Sequence, residues 1–434
     1  MESEKGNKNF NSEKKVNKIN DKPTELKNEP QTPKVGLNSE NINKLKIMNI
    51  PSLNSYPKTL LSLKLLTNDY DYYEKAQYSS KQIESVKSFS YNTYHGLFKE
   101  NNEDKIIVVS QIKKPASSKM KKWPKISYFG IFDGHGGEGC SEFLKNNFLN
   151  YLTENKNFPF DIKLSLIEAF DKAEQEFFKQ KCKASLEESD RSGSCAIVSL
   201  LYDNKIYIAN LGDSRIIMSM NGGDKVKQLS NDHKPNNPKE FERAIKNKSK
   251  IYLDDIEGHK DISKLNFIKD KNELEKYKKN ENNKEEIIFR EHPSNLAVMR
   301  TIGDIKAKKK EYGGNPGTII NKPDIFIFDI NSNDDFLVMG CDGIFDDLTN
   351  QEVSNAVWYI FKNELKEKKY DIHELTRDAC DLIIKYALAK QTSDNLSCIV
   401  IGLEGLEKYL KNRINKEKVN NCFKKNFYKS KSVK

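Results

Sequence analysis

Apolar residues in the middle of the chain recur with two spacings, one typical of strands and one typical of helices. Several β-rich runs are separated by turn pairs such as Asp203-Asn204 and Gly212-Asp213, which is typical of hairpin-linked strands. Strands that come in runs, with helices in pairs between them, indicate an α+β fold rather than an alternating βαβ sheet. We predict strands at 106–110, 126–132, 195–203, 205–211, 214–220, 324–330, 336–341 and 397–403, and helices around 138–154, 161–182, 350–366 and 372–390.

The polar ends of the chain contrast with this central part. Residues 1–85 are rich in Lys, Asn, Glu and Ser, so we expect a mostly disordered N-terminal extension. Residues 86–404 carry the globular pattern and form one predicted domain, followed by a basic tail at 405–434. Inside the domain, residues 246–294 hold 12 basic and 11 acidic residues and predict a charged insertion, for which an inert solvated loop is the simplest interpretation.

The formal net charge of +10 is unevenly distributed along the 434 residues. Residues 86–404 carry 49 basic and 50 acidic side chains, whereas residues 405–434 carry 10 basic and 2 acidic ones. A domain with a charge of −1 argues against nucleic-acid binding, because phosphate-tracking grooves need a basic surface. The tail is either solvated or contacts an acidic partner or an anionic membrane surface.

The cysteines and the apolar runs bear on the cellular compartment. Seven cysteines are scattered without a C-x-x-C pair, which is typical of a reducing compartment without a disulfide framework. No run approaches 18 apolar residues, the N-terminus lacks an apolar signal region, and Glu2 excludes a myristoylation motif. We therefore expect a soluble, cytoplasmic protein, and the Lys-rich tail leaves a nuclear location open.

Four aspartates lie next to apolar strand-like runs. Asp133, Asp213 and Asp342 follow such runs, and Asp394 immediately precedes the last one. Carboxylates at the ends of buried strands can converge on one edge of a sheet, and oxygen donors without paired His or Cys ligands suit Mg²⁺ or Mn²⁺. The competing interpretation is that Asp-Gly is a common turn dipeptide. His135, two residues after Asp133, could bind a metal when neutral or donate a proton when charged.

Around these residues, a series of short motifs resembles the metal-dependent, type-2C (PPM) family of Ser/Thr protein phosphatases. The resemblance covers roughly residues 86–404, and its strength lies in the number of blocks that occur in the family's order. The blocks are Asn102-Glu103-Asp104, Phe132-Asp133-Gly134-His135-Gly136-Gly137, Ser192-Gly193-Ser194-Cys195-Ala196, Gly212-Asp213-Ser214-Arg215, Asp232-His233-Lys234-Pro235, Leu296-Ala297-Val298-Met299-Arg300 with Gly303-Asp304, Cys341-Asp342-Gly343-Ile344-Phe345-Asp346, and Ser393-Asp394-Asn395.

This resemblance implies a four-layer α-β-β-α sandwich of two antiparallel β-sheets flanked by helices, with two Mg²⁺ or Mn²⁺ ions at one edge. Such a pair of ions, about 3.5–4 Å apart, activates a water as hydroxide for direct attack on a phosphoserine or phosphothreonine. His135 would be the general acid for the departing oxygen. The implied metal residues are Asp133, which bridges both ions, the Gly134 carbonyl, Asp342 and Asp394, with Glu103 and Asp104 acting nearby and Asp213 and Asp346 at a third position that some members use.

This chain departs from the family pattern at several positions. Lys99 stands where the family usually has an Arg that grips phosphate, and it offers no bidentate fork; it is either a weaker phosphate contact or a solvated surface lysine. Cys195 replaces a Thr beside the third metal position, which puts occupancy there in doubt. Met299 is interpreted as a packing residue, and Asp232 and His233 as residues that fix a turn.

Two classes of function follow from the resemblance. The first is a protein Ser/Thr phosphatase, a monomer acting on phosphoprotein substrates. The second is a phosphatase-like scaffold with weak or no catalysis that binds protein partners. The phosphatase is favoured, because the implied metal aspartates and His135 are all retained.

Overall fold

The computed structural model describes residues 74–183, 185–255, 258–261, 288–363 and 371–431. The chain folds into two six-stranded antiparallel sheets, a small three-stranded sheet and several helices. The strands are β1 (Gln77–Tyr78), β2 (Ser88–Tyr94), β3 (Lys105–Val109), β4 (Ser127–His135), β5 (Gly193–Tyr202), β6 (Lys205–Leu211), β7 (Arg215–Met220), β8 (Lys225–Gln228), β9 (Lys250–Asp255), β10 (Gly258–Asp261), β11 (Ile288–His292), β12 (Ile302–Gly303), β13 (Asp324–Asp329), β14 (Asp334–Gly340) and β15 (Leu396–Gly402). The helices are α1 (Gly139–Thr153), α2 (Ile162–Lys181), α3 (Pro238–Lys246), α4 (Ile305–Lys308), α5 (Asp342–Phe345), α6 (Asn350–Asn363), α7 (Ile372–Ala389) and α8 (Glu404–Lys431).

The two large sheets pack face to face. One has the order β1-β2-β15-β14-β7-β8, and the other has the order β13-β6-β5-β4-β3 with the short β12 paired to β5. Phe89 of the first sheet meets Phe129 of the second, with ring centroids 5.6 Å apart. Strands β14 and β15 are buried along their whole length. A strand buried on both faces requires a layer of helices on its outer side.

Pairs of helices supply those outer layers. Phe148 of α1 lies 5.9 Å from Phe132 of β4 and 4.8 Å from Phe170 of α2, measured between ring centroids. On the other sheet, Trp358 of α6 lies 5.7 Å from Phe336 of β14. The predicted α+β class and the four-layer α-β-β-α sandwich are therefore confirmed.

Local sequence explains where these helices begin. The Asp161 side chain accepts a hydrogen bond from the Leu164 N–H at 2.9 Å, and Asp371 caps α7 in the same way through the His373 N–H. The four predicted helices and eight predicted strands are confirmed in the described residues, with ends that differ by three residues or fewer.

Strand β2 was missed because its buried positions are polar. Ser88, Ser90 and Asn92 alternate inward from this strand, so that a search for apolar alternation overlooks it. Their partners lie on α7: the Ser90 hydroxyl donates to the Thr376 carbonyl at 2.7 Å, and the Asn92 amide donates to Asp381 at 3.1 Å. Hydrogen bonds replace apolar contact along this face of the sheet.

The charged insertion is not a solvated loop along its whole length. Strands β9, β10 and β11 form a separate antiparallel sheet, and the residues at 262–287 lie outside the described part of the chain. Ile251 and Phe289 are buried against Phe241 of α3 and against Met299. The packing interpretation of Met299 is confirmed, since its side chain is fully buried. The hydrophobic pattern did not predict these strands, because they contain few apolar residues among many charged ones.

The basic tail begins as a helix that packs on the sandwich. Leu406 and Leu410 of α8 are buried, and Tyr409 lies 4.9 Å from Trp358 of α6 between ring centroids. The prediction for the N-terminal extension falls almost entirely outside the described residues, which begin at 74. Among the helices of the described ranges, none has the length and apolar character needed to cross a bilayer.

Candidate active site

Six aspartates meet at one end of the sandwich, and we call them the carboxylate cluster. Strands of both sheets contribute, because β4 ends near Asp133, β14 leads into Asp342 and β15 begins after Asp394. Burial raises the pKa of Asp133 well above its usual value, and the nearby negative charges of Asp342, Asp104, Asp213 and Asp394 raise it further. Negative charges raise one another's pKa values in this way only when they lie close together. The members are Asp104, Asp133, Asp213, Asp342, Asp346 and Asp394.

Cross-strand pairing brings Cys195 into this cluster. Asp133 of β4 lies directly opposite Cys195 of β5, and ligand atoms of Asp133, Cys195 and Asp213 all lie within 4.8 Å of one another. The Cys195 thiol donates to Asp213 Oδ1 at 3.3 Å. Burial raises the pKa of this thiol well above its usual value, and Asp213 and Asp133 add to the effect. The thiol therefore acts as a hydrogen-bond donor to a carboxylate.

Glu103 is held at the entrance to the cluster. Its N–H donates to the Asn395 side chain at 2.9 Å, and its Oε1 accepts from the Gly137 N–H at 2.7 Å. A Cβ at Gly134 would lie 2.4 Å from the Glu103 carbonyl oxygen, so only glycine permits this close approach. The segment at 133–137 and the loop that precedes β3 are thereby held in contact.

Asp104 is buried and incompletely bonded. Its Oδ2 has no hydrogen-bond partner among the described residues. Burial raises the pKa of Asp104 to about 6, with a contribution from the negative charge of Asp394. A buried carboxylate oxygen without a partner is destabilising unless a cation or water satisfies it. Together with the oxygen-only chemistry of the neighbouring aspartates, this atom shows that the cluster fits a hard divalent cation such as Mg²⁺ or Mn²⁺.

Lys99 lies at the edge of the cluster. Its Nζ is 3.0 Å from Asp394 Oδ1, and its side chain is 40% exposed. Burial lowers the pKa of Lys99, but the charges of Asp394, Glu103 and Asp342 outweigh it, so that the net direction is upward. The structure therefore places Lys99 beside the implied metal residues, not on a remote surface.

His135 is paired with a residue to which the sequence patterns assigned no role. Its Nε2 lies 2.9 and 3.0 Å from the two carboxylate oxygens of Asp304, which is buried at the start of α4. Burial lowers the pKa of His135, but Asp304 outweighs burial and the pKa is raised. The two residues are 169 positions apart; only the position of Asp304 in the Gly303-Asp304 block hinted at a role.

Lys234 is the second residue that the sequence did not identify. Its Nζ lies 2.6 and 2.7 Å from the two carboxylate oxygens of Asp346 and 3.8 Å from Asp213 Oδ2. Asp213 and Asp346 are the two residues expected at a third metal position. The structure therefore brings both together, with a lysine ammonium group against them.

The neighbouring Asp232 and His233 do fix the local chain path, as predicted. Asp232 forms an ion pair with Arg215. The His233 Nδ1 accepts from the Gly212 N–H at 3.0 Å, and the His233 N–H donates to the Gly212 carbonyl at 2.9 Å. Neither side chain is among the members of the carboxylate cluster.

Fold and site together define a class: a β-sandwich domain whose two sheets share an oxygen-rich site for divalent cations, with a carboxylate-bound histidine beside it. A model of the family described as "Protein phosphatase 2C" matches residues 94–396. The chain therefore belongs to the protein phosphatase 2C family, whose members are metal-dependent Ser/Thr phosphatases.

Individual relatives agree with this assignment. The chain is 27% identical to "Probable protein phosphatase 2C 22" of Arabidopsis thaliana over 281 residues, which cover 64% of this chain and 59% of the relative. It is 29% identical to "Protein phosphatase 2C 1" of Paramecium tetraurelia over 282 residues, which cover 63% of this chain and 80% of the relative. The match thus spans less than two thirds of the Arabidopsis relative's length.

Solved structures share the fold. The serine-threonine phosphatase 2C from Toxoplasma gondii superposes with a TM-score of 0.53 at 17% identity, covering 76% of this chain and 98% of that one. A C. elegans sex determining protein gives a TM-score of 0.54 at 19% identity, covering 76% of this chain and 68% of that one. At these identities the likeness concerns the sandwich architecture alone.

Proposed function

We propose that this chain is a protein phosphatase that hydrolyses phosphoserine and phosphothreonine with two bound Mg²⁺ or Mn²⁺ ions. The observation that carries the proposal is the carboxylate cluster, in which buried aspartates from both sheets raise one another's pKa values and Asp104 keeps an unbonded buried oxygen. Such a group of carboxylates is stable in its ionised form only with added positive charge.

Within the site, Asp133, Asp342 and Asp394 would hold the ions together with the Gly134 carbonyl. Glu103 would act through bound water, since its Oε1 is already occupied by the Gly137 N–H at 2.7 Å. When bound, two such ions lower the pKa of a water molecule and neutralise charge on the phosphate. The chain itself fixes the positions of these carboxylates.

His135 and Lys99 would handle the substrate. Hydrolysis forms a bond between a water oxygen and phosphorus and breaks the bond from phosphorus to the serine or threonine oxygen, which must take up a proton. His135, oriented by Asp304 at 2.9 Å, would donate that proton from a fixed direction. Lys99, beside Asp394, would supply a point charge to the phosphate oxygens.

The test is phosphate release from a phosphothreonine peptide by the full chain in Mn²⁺, Mg²⁺ or EDTA. Asp342→Ala removes one cluster member, and Asp224→Ala serves as a matched control in an exposed turn. The proposal requires activity that depends on metal, collapses in Asp342→Ala and persists in Asp224→Ala. A folded wild-type chain without activity in either metal would instead favour the scaffold.

The proposed cellular compartment and monomeric state are inferred from the sequence. A reducing compartment, the cytoplasm or the nucleus, and a monomeric state are part of this proposal, as are phosphoprotein substrates. The scattered free cysteines support the compartment, with five of them buried in the described residues.

A further inference from the structure

The ammonium group of Lys234 lies against two aspartates of the carboxylate cluster. Its side chain is 25% exposed, and its Nζ contacts both oxygens of Asp346 at 2.6 and 2.7 Å. Asp213 Oδ2, in the turn between β6 and β7, lies 3.8 Å away from the same nitrogen. The ammonium group therefore bridges two aspartates that a cation could otherwise share.

The backbone around Lys234 is fixed relative to Asp213. The preceding residue, His233, exchanges two hydrogen bonds with Gly212, the residue before Asp213, at 2.9 and 3.0 Å. The His233 carbonyl accepts from the Met299 N–H at 2.8 Å, and the Lys234 carbonyl accepts from the Asn237 N–H at 2.9 Å. The lysine and Asp213 are thus carried on two loops that are bonded to each other. The side chain starts from a defined position, unlike a surface lysine on a free loop.

The electrostatics fit a permanent positive charge at this point. The ammonium nitrogen lies 2.6 and 2.7 Å from the two oxygens of Asp346 and 3.8 Å from Asp213 Oδ2, so it faces two carboxylates at once. A lysine is positively charged at neutral pH, and contacts of this kind favour the charged form. The lysine is therefore the counterion of this part of the cluster.

An ammonium group and a metal ion exclude each other here. Hard divalent cations need carboxylate oxygens at about 2.0–2.6 Å, and the same Asp346 oxygens are already bonded to Nζ. The adjoining Cys195 offers a thiol where an oxygen ligand would be needed. This thiol also donates a hydrogen bond to Asp213 Oδ1 at 3.3 Å. Both features disfavour Mg²⁺ or Mn²⁺ between Asp213 and Asp346.

We propose that the Lys234 ammonium group is a built-in cation that fills the position between Asp213 and Asp346, so that the chain binds two divalent ions and no third. The inference rests on the proposed two-metal function and specifies its metal stoichiometry. Removing the ammonium group opens a third site, whereas keeping a positive charge there leaves it closed.

The experiment counts Mn²⁺ bound per chain at saturation, by equilibrium dialysis of the EDTA-stripped full chain with free Mn²⁺ read by electron paramagnetic resonance. We expect two ions for the wild type and three for Lys234→Met, which keeps the length of the side chain without its charge. Lys234→Arg, which keeps the charge, should bind two. Lys239→Met, an exposed lysine on α3, is the matched control and should also bind two.

Three results would overturn the inference. A wild type that binds three ions shows that Lys234 does not close the site, while leaving the two-metal function intact. If folded Lys234→Met binds two Mn²⁺ ions with the affinity of the wild type, the lysine does not occupy a position that a metal ion could take. A folded wild type that binds no Mn²⁺ overturns the inference and the proposed function together. If Lys234→Met fails to fold, the wild-type count still tests the inference, because three bound ions would overturn it.

Discussion

At the scale of single residues, the pairing of His135 with Asp304 determines how the imidazole is used. Nε2 faces both oxygens of Asp304, so the carboxylate favours the charged ring and fixes its orientation. The same contact holds the pKa of Asp304 below its usual value, although burial opposes this direction. Asp304 acts through its contact with His135 Nε2 and is therefore a positioning residue.

Replacing that carboxylate should weaken proton donation more than substrate binding. In Asp304→Asn we expect kcat on a phosphothreonine peptide to fall by about 10²-fold, the lower end of general-acid effects, with little change in KM. Activity on p-nitrophenyl phosphate should fall far less, because its leaving phenolate needs no proton. Steady-state kinetics on the two substrates check this, with His292→Ala as a control histidine. Equal losses on both substrates would show that Asp304 merely supports the fold.

The second prediction at this scale concerns Lys99. Its Nζ lies 3.0 Å from Asp394, so the charge is already directed toward the cluster, but it has no planar fork. We expect Lys99→Ala to raise KM for the phosphothreonine peptide about tenfold, equivalent to about 1.4 kcal/mol. Lys99→Arg should lower KM, because arginine can bind phosphate with two parallel hydrogen bonds. Unchanged KM values in both variants would mean that Lys99 does not meet the phosphate.

At the scale of elements, a buried ion network joins α3 to the start of β13. Glu240 of α3 is 1% exposed; its Oε1 accepts from Arg300 at 2.6 Å, and Arg243 forms a further ion pair with Oε2. Arg300 continues to Asp324 at 2.7 Å. This network anchors the segment that leads into the three-stranded sheet.

Breaking the network should destabilise the fold. Glu240→Gln leaves two arginines without their shared carboxylate, and we expect the free energy of unfolding to fall by about 3 kcal/mol. Urea unfolding followed by circular dichroism measures the change. Glu242→Gln, an exposed position on the same helix, should change it by less than about 0.5 kcal/mol. A Glu240→Gln chain as stable as this control would contradict a structural role for the network.

The same network should make the stability depend on pH. The nearby His233, whose Nε2 lies 3.3 Å from Asp324 Oδ2, is the main cause that lowers the pKa of Asp324, and burial opposes it. For Glu240, burial raises the pKa but the arginines outweigh burial. Carboxyls with lowered pKa values stabilise the folded state above the unfolded values of about 4, and this contribution disappears as the pH falls.

The difference in unfolding free energy between wild type and Glu240→Gln should therefore stay constant above about pH 5 and shrink as the pH falls from about 5 to 3. Urea titrations in EDTA at a series of pH values measure it. A difference that stays constant over this range would show that Glu240 does not titrate as the network requires.

Sequence patterns predicted the α+β class because most strands and helices bury apolar residues with regular spacing, whereas the sandwich was implied by the family resemblance. They failed for β2, whose inward positions are Ser88, Ser90 and Asn92, and for the insertion strands, in which charged residues stand among the few apolar ones. In the site, the aspartates beside strand ends could be recognised from the apolar runs next to them. The partners Asp304 and Lys234 were not, because their contacts join loops far apart in the chain.

At the scale of the whole molecule, the carboxylate cluster lowers the stability of the metal-free fold. Burial raises the pKa of Asp342 well above its usual value, and the charges of Asp213, Asp394 and Asp346 add to this repulsion. Without metal, the cluster opposes folding, and bound cations reverse the effect. The sandwich must supply the excess stability that holds these groups together.

Asp342→Asn should therefore stabilise the protein when metal is absent. In EDTA we expect its melting temperature to exceed that of the wild type by about 2 °C or more, because one repelling charge is gone. Mn²⁺ should raise the melting temperature of the wild type and leave that of Asp342→Asn almost unchanged. Thermal unfolding with and without Mn²⁺ checks both statements. A variant less stable than the wild type in EDTA would contradict the repulsion.

The central claim is that catalysis depends on divalent ions held by the carboxylate cluster, and one titration tests it directly. The EDTA-stripped full chain is titrated with Mn²⁺ while bound metal and phosphate release from a phosphothreonine peptide are measured in the same samples. The account predicts no activity without metal and activity that rises as the chain fills to two ions. Full activity in EDTA, or activity that saturates while no metal is bound, would contradict it.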